Sequence, residues 1–102
     1  MKFLQEHFAD PFTREDLAQV VNLSPTRFHF VFKEVMGASP MQYVQQFRIA
    51  KAQHMLWLTS FGIAEIAFKV GFTDPFHFSR IFKKCTGKSP LSYRLLHREP
   101  FA

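Results

Sequence analysis

The chain is poor in cysteine, in acidic side chains and in long apolar runs, and each shortage removes a class of protein. One cysteine, Cys85, in 102 residues excludes an internal disulfide and a cysteine-paired metal knuckle, and fits a reducing compartment. No apolar stretch approaches the roughly 20 residues that span a bilayer, and Met1-Lys2-Phe3-Leu4-Gln5-Glu6 becomes charged before a signal-peptide core could form. The five His are dispersed, with no HxxxH or CxxC spacing to hold a metal. Nor does the sequence pair a nucleophile with a base, and so small a chain leaves little room for a catalytic cleft; no cofactor and no reaction are expected.

Hydrophobic residues make up 47% and charged residues 21%, the balance of a single folded domain rather than of a disordered tail. Acidic side chains number 8 against 13 Lys and Arg, and the imbalance is local. Residues 1–68 are neutral, whereas residues 69–102 carry Lys69, Arg80, Lys83, Lys84, Lys88, Arg94 and Arg98 against Asp74 and Glu99. Positive charge concentrated in this way suits a polyanion, although a solvated basic face is also common.

The chain repeats itself about fifty residues apart. Leu17-Ala18 matches Ile66-Ala67, Val21 matches Val70, and Asn22-Leu23 matches Gly71-Phe72. One residue further out of step, Phe28 matches Phe78, Val31 matches Ile81, Phe32-Lys33 matches Phe82-Lys83, Gly37 matches Gly87, Ser39-Pro40 matches Ser89-Pro90 and Tyr43 matches Tyr93. Each copy reads as helix, tight turn, helix. Thr13 caps the first helix, with Glu15 and Asp16 beside the positive end of its dipole. Asn22 and Gly71 are the types that accept a positive φ in a sharp turn. Ser24-Pro25 and Asp74-Pro75 each give an N-cap followed by proline at the first helical position, and Gly37 and Gly87 end those helices. The expected architecture is all-α, with a first helix-turn-helix unit over 13–36, a linker helix over 40–58 and a second unit over 63–86.

Apolar spacing assigns Phe28, Val31, Phe32 and Val35 to the core in unit one, and Phe78, Ile81, Phe82 and Cys85 in unit two; Met55, Leu56 and Trp57 are likewise expected inside. The opposite faces carry Thr26, His29, Phe30 and Lys33, and Phe76, Ser79, Arg80 and Lys83. Phe30 and Phe76 are large apolar groups on faces that packing leaves wet, which points to a partner. A second helix held on a rigid first one presents such a face to a major groove. Arg80 has the fork for guanine, Ser79 and Thr26 donate or accept, and Phe30 or Phe76 fits thymine methyls. His29 and His77 face the same way. Lys33, Lys83, Lys84 and Lys88 suit phosphates, with Arg94 a further candidate. The competing reading is a helical protein–protein module that uses the same faces without DNA.

These residues resemble the AraC/XylS family of bacterial transcription regulators over essentially the whole chain. The resemblance rests on Ile66-Ala67 through Gly71-Phe72, Phe78-Ser79-Arg80-Ile81-Phe82-Lys83-Lys84, Gly87, Ser89-Pro90 and Tyr93-Arg94. The linker pattern Pro40, Tyr43, Arg48-Ile49, Ala52 and Met55-Leu56 is similar to the family's too. It implies seven helices, double-stranded promoter DNA as partner, activation through RNA polymerase, and a bacterial cytoplasmic, nucleoid-associated protein. By position it puts Thr26, Arg27, His29, Phe30 and Lys33 on the first reader helix and Phe76, His77, Ser79, Arg80 and Lys83 on the second, with Arg94 as a backbone contact or structural group. Phe30, where the family commonly has a basic or polar residue, and the apolar start Pro75-Phe76 are departures. Most members carry a separate effector-binding or dimerisation domain, so the chain is expected to be a C-terminal part or a short member acting alone.

Overall fold

The structure, a computed structural model, describes residues 2–98, with side chains placed over 5–96. Within them seven helices follow one another: α1 (Lys2–His7), α2 (Arg14–Val20), α3 (Pro25–Met36), α4 (Pro40–Leu58), α5 (Ile63–Lys69), α6 (Pro75–Thr86) and α7 (Pro90–Arg98). Among the described residues there is no strand. The boundaries come from the capping chemistry. Thr13 Oγ1 accepts from Asp16 N at 3.2 Å while Asp16 Oδ2 accepts from Thr13 N at 2.8 Å, a reciprocal box that satisfies two otherwise orphaned donors of α2. Ser39 and Gln42 form the same box at the start of α4. Ser24 Oγ accepts from Arg27 N, and Asp74 Oδ1 accepts from Phe76 N, each ahead of a proline.

The two turns are built alike. Leu23 N donates to Ala18 O and Phe72 N to Ala67 O, closing a six-residue loop around a left-handed residue, Asn22 at φ 61° and Gly71 at φ 105°. Gly71 also needs its missing side chain: a Cβ there would lie 2.9 Å from Arg48 Nε and 3.0 Å from Ala9 Cα.

The molecule measures 51 × 24 × 22 Å and holds two cores. Unit one buries Leu17, Ala18, Phe28 and Val44, the last from the first half of α4. Unit two buries Ile66, Ala67, Val70, Phe72, Phe78 and Phe82 with Ile49, Ala52 and Leu56 from the second half of α4. One continuous helix thus belongs to both cores. Two arginines fasten it. Arg48 donates from Nε to Phe8 O and from Nη2 to Asp10 O, with its guanidinium over the Phe12 ring. Burial pushes the pKa of Arg48 down, and Asp10 opposes the shift. Arg94, from α7, donates to Leu56 O and Thr59 O, satisfying carbonyls at the end of α4 that have no helical partner.

Three expected core residues lie elsewhere. Val35 is 74% exposed and Cys85 is exposed, although both fall at the angle of the buried stripe. Each sits in the last turn of its helix on the wall of an open cleft, Val35 with Val21, Leu23 and Met36, and Cys85 with Gln46, Gln53 and Thr86, so no neighbour closes over it. Trp57 is also exposed on one side, since it lies about 100° around α4 from buried Leu56; its other face stacks on Tyr93 with ring centroids 6.3 Å apart.

Candidate nucleic-acid interface

Helices α3 and α6 are each 12 residues long, about 18 Å, and each is the second helix of its unit. Their inner stripes are fixed by aromatic packing. Phe28 meets Phe32 edge-on at 5.6 Å, and Phe32 meets Tyr43 at 5.4 Å; in unit two Phe78, Phe82 and Tyr93 repeat the arrangement at 5.7 and 5.4 Å. With those rings locked inside, the opposite faces can turn only outward.

On α3 the outward set is Thr26, Arg27, Phe30 and Lys33, all exposed, with His29 half-buried beside them. Phe30 is 61% exposed and borders a shallow cleft with His29, Lys33 and Glu34. On α6, Phe76, His77, Arg80, Lys83 and Lys84 are exposed and Ser79 is half-buried. Phe76 is 77% exposed at the start of α6. The His77 ring lies 5.9 Å from that of buried Phe72, which steadies it at the edge of the face. Among the described residues, none of Arg27, Lys33, Arg80, Lys83 and Lys84 makes an ion pair. Within the described residues no carboxylate therefore lies within ion-pair distance of them. Arg94 stands on α7 rather than on either second helix, and its guanidinium donates to carbonyls at the end of α4.

Superposing the repeat in sequence pairs the outward positions one for one. Lys33 and Lys83 coincide, whereas Thr26 answers to Phe76, His29 to Ser79 and Phe30 to Arg80. The scaffold is duplicated and the chemistry it presents is not. The two faces thus offer a common cation near the helix C-terminus and different groups in the half that would enter a groove. Glu34 is a side chain absent from the expected set. Its spacing of four from Phe30 puts it on the same face, and its carboxylate can accept from a cytosine amino group while repelling phosphate.

Among the described residues no cluster of three or more His, Cys, Asp or Glu could hold a metal ion, and no helix is long and apolar enough to cross a membrane.

Comparison with known proteins gives consistent matches. A family described as a helix-turn-helix domain matches residues 17–95. The arabinose operon regulatory protein of Salmonella typhimurium is 39% identical over 94 residues, covering 91% of this chain and 34% of that protein. The bifunctional transcriptional activator/DNA repair enzyme AdaA of Bacillus subtilis is 32% identical over 97 residues, covering 95% of this chain and 46% of its own. The chain thus spans about a third to a half of the length of these curated relatives. Among solved structures, the DNA-binding domain of the global transcriptional factor AdpA in complex with a target DNA aligns with a TM-score of 0.91 at 29% identity, over 95% of this chain and 87% of that one. The C-terminal domain of the response regulator yesN from Fusobacterium nucleatum aligns at 0.87 and 33%, over 91% of each chain.

Proposed function

The chain belongs to the AraC/XylS family as its helix-turn-helix DNA-binding domain, and from that premise we propose that α3 and α6 enter successive major grooves on one face of a duplex and read two different half-sites. The observation that carries this reading is the duplicated scaffold with unlike outward residues. Successive major grooves on one face lie about 34 Å apart, and a molecule with a 51 Å long axis is large enough to reach both. In unit two, Arg80 makes the bidentate contact to guanine O6 and N7, with Ser79 and His77 beside it. In unit one, Phe30 and Thr26 meet a thymine methyl and His29 a neighbouring base edge. Phe76 adds an apolar contact at the start of α6. Lys33, Lys83, Lys84 and Arg27 neutralise phosphates and set position without reading sequence. Arg94 contributes indirectly, by holding the end of α4 that carries unit two.

On this reading the domain acts in the bacterial cytoplasm as part of an activator that touches RNA polymerase, with an effector or dimerisation domain in the parent protein, and catalyses no reaction. The relatives above are transcription regulators, which favours that role. Selection from a randomised duplex library at two salt concentrations tests it. Enrichment of a bipartite motif with unlike halves about one helical turn apart is the expected result. Weak, sequence-independent retention lost at moderate salt would count against two-groove reading and in favour of a protein partner.

A further inference from the structure

On the second helices of the two units the repeat reverses the sign of one charge. Residues spaced by four form a ridge on each outward face, Thr26-Phe30-Glu34 on α3 and Phe76-Arg80-Lys84 on α6, each member about 40° further round than the one before. Glu34 therefore answers to Lys84. It is the only acidic residue within either helix, and it is exposed. Glu34 lines the same shallow cleft as His29, Phe30 and Lys33, and lies about 120–160° around α3 from inward-facing Phe28 and Phe32. Among the described residues no cation lies within ion-pair distance of its carboxylate, although Lys33 is its neighbour in the chain.

The rest of unit one makes that charge count. Over residues 13–36, Arg14, Arg27 and Lys33 stand against Glu15, Asp16 and Glu34, so the unit is neutral; over 63–86, Lys69, Arg80, Lys83 and Lys84 stand against Glu65 and Asp74. Unit two is drawn to any phosphate backbone, and unit one is not. A carboxylate pressed against a duplex loses hydration and is repelled by phosphate, so it is tolerated there only where a donor meets it. In a major groove the donors are the amino groups of cytosine and adenine. Adenine sets its N7 acceptor beside the amino group, which opposes a carboxylate, whereas cytosine offers N4 alone. Four residues of helix advance about 6 Å, close to two base pairs at about 3.4 Å each.

We infer that Glu34 is a specificity-determining residue of unit one: its carboxylate accepts from the N4 amino group of a cytosine one or two base pairs beyond the thymine met by Phe30, and it disfavours every half-site that lacks this donor. The inference rests on the two-groove reading and adds a repulsive element to it. Unit two, with Lys84 at the matching place, holds DNA through its phosphates; unit one engages only where the cytosine is present.

The test is selection from a randomised duplex library by the intact chain, in parallel with Glu34→Gln and Glu34→Lys, followed by fluorescence anisotropy on the selected duplex and its single-base variants. Both replacements are good helix formers at an exposed position, so the fold is kept. The unsubstituted chain should fix a C·G pair within two base pairs of the thymine in one half-site, and changing that pair should weaken binding about fivefold to a hundredfold. Glu34→Gln should move the preference to adenine, whose N6 and N7 suit an amide. Glu34→Lys should move it to guanine, with tighter binding to random DNA and a steeper salt dependence. A bipartite motif that both variants reproduce unchanged, or an effect of Glu34→Gln that is equal for every sequence, would overturn the inference and leave the two-groove reading standing. Failure of the unsubstituted chain to select any bipartite motif would overturn both.

Discussion

Replacing Gly71 by alanine tests whether the turn of unit two is held by a tertiary contact as well as by backbone conformation. At φ 105° an L-residue is strained by roughly 1–2 kcal/mol. The new Cβ would also meet Arg48 Nε at 2.9 Å and Ala9 Cα at 3.0 Å. Arg48 cannot swing aside freely, because its guanidinium donates to Phe8 O and Asp10 O, and hydrogen bonds from a charged group are worth about 1.5–3 kcal/mol when lost. Discounting the second contribution because Arg48 is only partly buried, the sum is about 3 kcal/mol, against a total stability of roughly 5–15 kcal/mol for a domain of this size. Gly37 and Gly87, at φ 80° and 86°, have nothing within 4 Å of a built Cβ, so alanine there costs only the conformational part, about 1 kcal/mol. Urea unfolding followed by the single tryptophan, Trp57, which stacks on Tyr93, reads all three. Gly71→Ala should lower the midpoint most, at constant m, with a fall in Tm of roughly 12 °C or more. Part of the loss should vanish when Gly71→Ala is made in an Arg48→Ala background. A Gly71→Ala midpoint equal to that of Gly37→Ala, or full additivity with Arg48→Ala, would refute the argument.

Arg80→Ala should cost about 1–3 kcal/mol at the selected site and relax one base position, whereas Lys83→Ala should weaken all sequences alike and flatten the salt dependence by about one unit of slope. Equal losses on preferred and random DNA for both variants would contradict the assignment. Replacing thymine by uracil in the half-site read by unit one should reduce affinity, and Phe30→Ala should abolish that sensitivity; fluorescence anisotropy on matched duplexes measures both. Arg94→Ala should destabilise the fold by about 1–3 kcal/mol, seen as a lower urea midpoint, because two carbonyls near the end of α4 lose their donor. Arg94→Lys should recover only part of it, having no fork to bridge Leu56 O and Thr59 O.

The helix boundaries were legible in the sequence because each is set by a contact within three residues: Thr13 with Asp16, Ser24 with Arg27, Ser39 with Gln42, and left-handed Asn22 and Gly71. The outward faces followed from the same periodicity, so Thr26, Phe30, Phe76 and Arg80 stand exposed on the second helices of the two units. Periodicity gives an angle around a helix and says nothing about how closely the neighbouring helices approach it there. That is why Val35 and Cys85, correct in angle, are exposed. Contacts spanning 35 to 40 residues were beyond local pattern altogether. Arg48 gave no hint of holding Phe8 O and Asp10 O, and for Arg94 the resemblance left a backbone contact and a structural group open without pointing to the end of α4. Glu34 was legible in principle, since a carboxylate four residues beyond Phe30 shares its face of α3.

Since α4 runs unbroken from Pro40 to Leu58 and belongs to both cores, its length acts as a phase setting. Adding a single residue near its middle would turn unit two by about 100° and carry it about 1.5 Å along, pointing α6 away from any duplex that α3 engages. An addition of seven residues would nearly restore the angle, to within about 20°, but lengthen the molecule by roughly 10 Å, or about three base pairs of rise. Length change in this helix is therefore stepwise in its consequences, whereas a substitution on the surface of α3 or α6 leaves the angle between the two units untouched.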